Sequence, residues 1–294
     1  MKSYRYKKTD AFTSGSSLGN PAACIYTGQD QLSDQEMLSI AKQHKGFVSE
    51  VVYCTDSSTA DCKLTYYSSE CEIDFCGHGT IATMYELLRD NEELSRKKEL
   101  LFQTNKKGTL RLYNEIETED AVYITAPSPT RYEVPVTTAE IAGAFGTEER
   151  AISTKYPLAL INAGLRTLIV PLAAYQDEID LFPCRERLEA FCLENGIDII
   201  LIFCMYIDSD EYIAHTRVFA PKFGYLEDPA TGSGNSAFGY YMYENGLWDG
   251  TPTAVEQGGN DRIFNAVKLR MMDDTVLFGG KATLRIDGHY IVSP

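Results

Sequence analysis

Three stretches of the chain carry residue types that could do chemistry. The first runs from Gly224 to Asn235, around Glu227-Asp-Pro-Ala-Thr-Gly-Ser-Gly234. Pro229 fixes a bend and cannot donate to a sheet ladder. Gly232 and Gly234 let backbone N–H groups approach a small guest, because no Cβ stands in the way. The second stretch, Glu72-Ile-Asp-Phe-Cys-Gly-His-Gly-Thr80, has the same plan. Each Gly-rich turn opens an apolar helical run. Ala237, Phe238, Tyr240, Tyr241 and Met242 follow the one, and Ile81 to Leu88 follows the other. A helix start offers unpaired N–H groups and the positive end of the helix dipole, which suits a carboxylate. A lone Gly-Ser-Gly is weak evidence. Two such turns at matching positions suggest two cradles for one ligand. The third stretch, Phe47-Val-Ser-Glu-Val-Val-Tyr-Cys54, reads as a strand. Alternation puts Val48, Glu50, Val52 and Cys54 on one face. A lone Glu in that setting is most often a solvated edge residue. The other reading is a half-buried carboxylate suited to moving a proton. Alternation alone leaves both open.

These stretches need elements to position them. Tyr4 to Lys7, Lys63 to Tyr67, Leu100 to Thr104, Thr109 to Tyr113 and Ala121 to Thr125 read as strands of the first half. Ser33-Asp-Gln-Glu36 is a capping box opening a helix with Met37, Ile40 and Ala41 on one face. The charged run Asn91 to Glu99 reads as a solvated helix end and loop. Pro127-Ser-Pro129 marks a boundary, giving domains 1–127 and 128–294, with the last strands able to cross back. In the second half, Thr137-Thr-Ala-Glu140 is another capping box, and Arg185 to Asn195 is helical. Ile197 to Met205 is a buried strand, and Val267 to Arg270, Lys281 to Ile286 and Tyr290 to Val292 are the closing strands. The expected fold is α+β. Two pseudo-symmetric domains each wrap a curved sheet or barrel around an apolar helix, and the ligand lies in the cleft where both helix starts converge.

Composition narrows the function classes. The 294 residues suffice for two domains, and 44% hydrophobic with 23% charged residues is a globular balance. A net charge of −15 argues against nucleic acid and against an anionic membrane surface as partner. The longest apolar run, Ile199 to Tyr206, is too short to span a bilayer. Met-Lys-Ser-Tyr-Arg-Tyr at the start is no apolar signal segment, so the expected location is the cytoplasm, with reduced thiols. The eight cysteines lack C-x-x-C spacing, and no metal site is expected.

Several motifs together resemble the PhzF-like (phenazine-biosynthesis F) isomerase family. They are Asp10-Ala-Phe-Thr13, Gly19-Asn-Pro-Ala-Ala23, Ser49-Glu50, Cys76-Gly-His-Gly-Thr80, Arg217-Val-Phe-Ala-Pro221 and the stretch Glu227 to Gly234, in family order. The likeness runs from about residue 4 to the C-terminus. It implies the fold of diaminopimelate epimerase. It also implies a cofactor-free homodimer and a small carboxylate substrate; the phenazine enzyme isomerises dihydro-3-hydroxyanthranilate. The family's proton-moving glutamate matches Glu50, and its ligand-contacting His and Asp match His78 and Asp228. Its Gly and Ser contacts match Gly77, Gly232 and Ser233. The epimerases head both Gly-rich turns with a Cys; here Cys76 is kept and Thr231 stands at the other. A threonine hydroxyl is too weakly acidic to replace a thiol, which disfavours two-thiol racemisation. Gly79 and Gly234 sit where the phenazine enzymes often carry Ala.

The resulting expectation is an isomerase that moves a proton between carbons of a small carboxylate. Glu50 is its acid/base, His78 and Asp228 hold substrate groups, and Gly77, Cys76, Thr231, Gly232 and Ser233 line the site. The alternatives are an epimerase or racemase, a dehydratase of an amino acid, and a small-ligand binding protein without turnover.

Overall fold

The computed structural model describes residues 2–30, 32–205, 211–259 and 263–292. The chain divides into two compact units, Met1–Thr125 with Gly279–Pro294, and Ala126–Phe278.

In the first unit, strand β1 (Lys2–Ala11) pairs antiparallel with β2 (Asn20–Gly28) and with the C-terminal strand Ala282–Val292. Helix α1 (Asp34–Gln43) carries the chain from β2 to β3 (Glu50–Thr55), which lies parallel to β2. Ser33 and Glu36 form the expected reciprocal cap of α1, and Met37, Ile40 and Ala41 are its buried face. Strand β4 (Cys62–Ser68) pairs antiparallel with β3 and with the short β5 (Glu72–Ile73). Next come α2 (Gly77–Asp90), α3 (Glu92–Ser95), β6 (Glu99–Thr104), β7 (Gly108–Glu115), α4 (Ile116–Glu119) and β8 (Ala121–Thr125). β6 runs parallel to β4, and β7 pairs antiparallel with β6 and β8. Helix α2 is buried almost all round, from Gly79 to Glu86 and at Leu88. A helix enclosed this way needs every polar side chain partnered. Thr80 donates to the Cys76 carbonyl at 2.7 Å, Thr83 meets the Cys24 sulfur at 3.0 Å, and Glu86 takes the buried Lys7 ammonium at 2.7 Å.

The second unit contains β9 (Thr130–Tyr132), α5 (Thr138–Phe145), β10 (Ala159–Asn162), β11 (Arg166–Pro171), α6 (Tyr175–Ile179) and α7 (Arg185–Glu194). Then follow β12 (Ile199–Cys204), β13 (His215–Phe219), β14 (Glu227–Asp228), α8 (Gly232–Glu244), β15 (Thr253–Gln257) and β16 (Asn265–Met272). Strand β17 (Thr275–Gly280) leads out of the unit. β10–β11 is antiparallel, β11–β12 parallel, β12–β13 and β13–β14 antiparallel, β13–β15 parallel and β15–β16 antiparallel. That is the order of β1–β2, β2–β3, β3–β4, β4–β5, β4–β6 and β6–β7 in the first unit. The duplicated α+β unit is therefore present, with α8 in the place of α2. Buried side chains run along α8 to Met242.

Some expectations needed correction. The strand expected from Phe47 starts at Glu50, because the amides of Phe47 and Val48 both turn back onto the His44 carbonyl. Val48 consequently packs with Val51 and Tyr53, not on the face of Glu50. The run Asn91 to Glu99 contains a helical turn, capped by the Asn91 side chain through Glu93 and Leu94. Strands β15 and β17 were not foreseen. The two closing strands are one, continuous through Gly288, because β1 pairs along its whole length. Of the apolar run Ile199 to Tyr206, β12 takes Ile199–Cys204, and Tyr206 lies outside the described residues. Among the described residues no helix is long and apolar enough to cross a membrane. All eight cysteines are free.

A fully buried pair in the second unit gives a pH prediction. Glu178 and His215 lie 3.1 Å apart. Burial raises the Glu178 pKa well above 4.5, while burial, then Arg217, drives His215 down to about 3. The fold thus favours the neutral form of both. The Glu178 contribution to stability is full below the ordinary value of 4.5 and is lost as pH rises through its raised folded value; the His215 contribution is full above 6.5 and is lost as pH falls toward about 3. Glu178→Gln is expected to flatten the alkaline arm, read as the urea midpoint across neutral to alkaline pH. An unchanged arm would refute the neutral pair.

Candidate active site

Glu50 is the first residue of β3, held between Ala22 of β2 and Ser68 of β4. Pairing of β4 with β5, Tyr66 opposite Ile73 and Tyr67 opposite Glu72, returns the chain beside that strand end. Cys76 then caps α2, its sulfur accepting the Gly79 N–H at 3.3 Å. His78 is the second residue of the helix. The head of β3 and the start of α2 thus bring three side chains together. His78 Nε2 lies 3.1 Å from Glu50 Oε2, and Cys76 Sγ lies 3.9 Å from the same oxygen. The sulfur is 3.5 Å from His78 Nδ1 and 3.8 Å from Nε2. The Glu50 and His78 side chains are 16% and 13% exposed, so both are mostly withdrawn from water yet reachable. That is the half-buried carboxylate, not the solvated edge.

The electrostatics of the trio follow from burial and neighbours. Burial pushes the Cys76 thiol up; His78 pulls it down and Glu50 pushes it further up. The group is therefore a thiol near neutral pH. Burial works against charge on His78, but Cys76 and Glu50 together hold its pKa well above 6.5. The result is an imidazole in contact with a carboxyl group, with a thiol beside them, at a helix N-terminus. The amides of Gly77 and His78 open α2 and have no acceptor within the helix. Such a group can take a proton from carbon, hold it and return it.

Asp228, Thr231, Gly232 and Ser233 stand together in the second unit. The Thr231 hydroxyl donates to the Asp228 carboxylate. Gln257 ties the turn: its Oε1 accepts the Thr231 N–H at 3.0 Å and Asn235 Nδ2 at 2.7 Å, and its amide donates to the Asp228 carbonyl at 2.8 Å. Asn265 donates to the Pro229 carbonyl at 2.7 Å. Arg217 clamps Glu227, one residue before Asp228, through Nε and Nη2 at 2.9 and 2.8 Å. Gln257, Asn235 and Asn265 were missed from sequence. Gln257 and Asn265 sit on β15 and β16, whereas Asn235 closes the recognised stretch from Gly224. The direct bond between His78 and Glu50 was also missed.

The two helix starts differ at one glycine. A Cβ on Gly79 would stand 2.7 Å from Val52 Cγ2 and 2.9 Å from Cys76 Sγ. On Gly234 its nearest neighbour would be Ile199 Cδ1 at 3.4 Å, an ordinary contact. Gly79→Ala is expected to cost about 1–3 kcal/mol through overpacking. Gly234→Ala is expected to be neutral, or to stabilise by up to about 1 kcal/mol through helix propensity. Urea denaturation of both variants checks this; equal effects would contradict the packing difference.

A family model for phenazine biosynthesis-like proteins, PhzC-PhzF, matches residues 9–288. An uncharacterized isomerase of Bacillus subtilis, YfhB, is 28% identical, the match covering 100% of this chain and 98% of that protein. A crystal structure of a PhzF-family phenazine biosynthesis protein from Bacillus anthracis superposes with a TM-score of 0.86 at 25% identity, over 99% of this chain and 100% of that one. A hydroxyproline epimerase of Agrobacterium vitis shares the fold, with a TM-score of 0.60 at 11% identity over 99% and 91% of the two chains. The diaminopimelate epimerase-like architecture expected from sequence agrees with these neighbours.

Proposed function

We propose that this chain, which belongs to the phenazine biosynthesis-like family, is a cofactor-independent isomerase of a small carboxylate, with Glu50 as its proton carrier. One observation carries the reading: Glu50 Oε2 lies 3.1 Å from His78 Nε2, half-buried, at the amide end of α2. The open amides of Gly77 and His78 suit the substrate carboxylate. Glu50 removes a carbon-bound proton. The C–H pair of electrons moves into a shifted double bond, and the same proton goes back to a different carbon on the same face. Nothing is oxidised or reduced. His78 keeps the Glu50 carboxylate oriented and offsets the charge that develops. Thr231, Gly232 and Ser233 form the second unit's own helix start, and Asp228 fixes Thr231 there.

Epimerisation needs two bases on opposite faces of one carbon. Cys76 Sγ and Glu50 Oε2 are only 3.9 Å apart, too close to admit a carbon between them. These two groups therefore cannot be the opposed bases, and Thr231, at the place of the epimerases' second Cys, is too weakly acidic to be one, which favours relocation of the proton over inversion. The test is incubation in D2O with a panel of small unsaturated and amino carboxylates, followed by NMR. Deuterium incorporation with a positional isomer as product is expected. Tight binding of panel members without incorporation would leave a binding protein, and incorporation with inversion alone an epimerase. Either result overturns the proposal.

A further inference from the structure

We infer that Glu50, Cys76 and His78 form a three-ligand site for a zinc-like divalent cation, and that filling it silences proton transfer. The donor atoms are Glu50 Oε2, His78 Nε2 and Cys76 Sγ, all within 4.8 Å of one another. Their separations are 3.1 Å for O–N, 3.9 Å for S–O and 3.8 Å for S–N. Zinc bonds of about 2.0–2.1 Å to oxygen and nitrogen and about 2.3 Å to sulfur set the demand. A tetrahedral ion then wants roughly 3.3 Å between O and N and roughly 3.6 Å from each to S. Every edge of the triangle is within a few tenths of an ångström of that demand. Among the described residues this is the one group of three such donors that close.

The donor set matches as well. A thiolate, an imidazole and a carboxylate are the mixed ligands that a borderline cation takes. Two anionic donors offset the positive helix end. The Gly79 N–H already points at the sulfur, as an outer partner that steadies a thiolate ligand. With three protein ligands, the fourth position stays open to water or a carboxylate. The ion would occupy the Glu50 lone pair that the proposed reaction uses. The silencing half therefore rests on the isomerase reading, whereas the binding half stands on geometry alone.

The test uses the full chain, freed of metal with a chelator, and cobalt(II) as the probe. One equivalent is expected to give the visible bands of a tetrahedral ion and a near-ultraviolet thiolate-to-cobalt band, both displaced by zinc. Cys76→Ser should erase the thiolate band and weaken binding by more than the roughly 10–100-fold that losing an outer partner costs. Cys184→Ser, at an exposed cysteine of the second unit, should leave the spectrum intact. No thiolate band, or one that survives Cys76→Ser in a variant with native circular dichroism, overturns the site. In the D2O assay, one equivalent of zinc should cut incorporation about tenfold or more, and chelator should restore it. Binding with unchanged incorporation refutes the silencing. A protein that shows no incorporation at all, but gives the cobalt spectrum, loses the isomerase reading and keeps the site.

Discussion

Glu50→Gln is expected to slow deuterium incorporation by about 10²–10⁴-fold while substrate affinity changes little. The amide is nearly the same shape and can still meet His78, so the strand end and the helix start should hold. What it lacks is a basic lone pair. The loss therefore falls on kcat, not on KM. The same variant has a spectroscopic signature. His78 is held well above 6.5 by Cys76 and then by the Glu50 charge. Removing that charge should lower the His78 pKa, visible as an earlier midpoint of its ring proton shift in an NMR titration. The linkage sign is fixed by the upward shift. The pair stabilises the first unit fully below the unfolded value of 6.5, and the contribution fades as pH rises through the folded value. An incorporation rate within a few-fold of wild type would remove Glu50 as proton carrier. A normal His78 midpoint would show that their contact carries no charge.

Arg217→Leu is expected to destabilise the second unit by about 3–5 kcal/mol, a large part of the roughly 5–15 kcal/mol that holds a domain folded. The Arg217 side chain is 1% exposed. It grips both oxygens of Glu227, and its Nη1 donates to the carbonyls of Glu178 and Leu181 at 2.6 and 2.8 Å. Leucine fills the volume but strands a carboxylate and two carbonyls. Lysine should fail too, since one ammonium cannot replace a planar fork. The turn bearing Asp228 and Thr231 hangs on Glu227, so the damage should reach the start of α8. The single tryptophan, Trp248, is buried in this unit and donates to the Thr251 carbonyl, which makes its fluorescence a local probe of urea unfolding. A loss below about 1 kcal/mol would mean that water rescues the stranded groups.

Local signals were legible because they act within one turn of chain. The boxes Ser33–Glu36 and Thr137–Glu140 form as written, since a cap needs only its own first turn. The helices after both Gly-rich turns start at Gly77 and Gly232 for the same reason. Residue types at those starts, Cys76 and His78 against Thr231 and Ser233, already told the two halves apart. The resemblance of the motifs carried Glu50 beyond what alternation could say. Contacts across the sheet were a different matter. Whether Glu50 faced water or His78 depended on β3 lying between β2 and β4, and on β5 bringing the turn back beside it. The partner of Thr231 turned out to be Gln257, on a strand that no pattern announced. Sequence by itself determined where helices begin and which side chains stand at their heads, because capping is settled among neighbours. Only the tertiary structure decided which of those side chains meet, because strand register joins residues that no local rule connects.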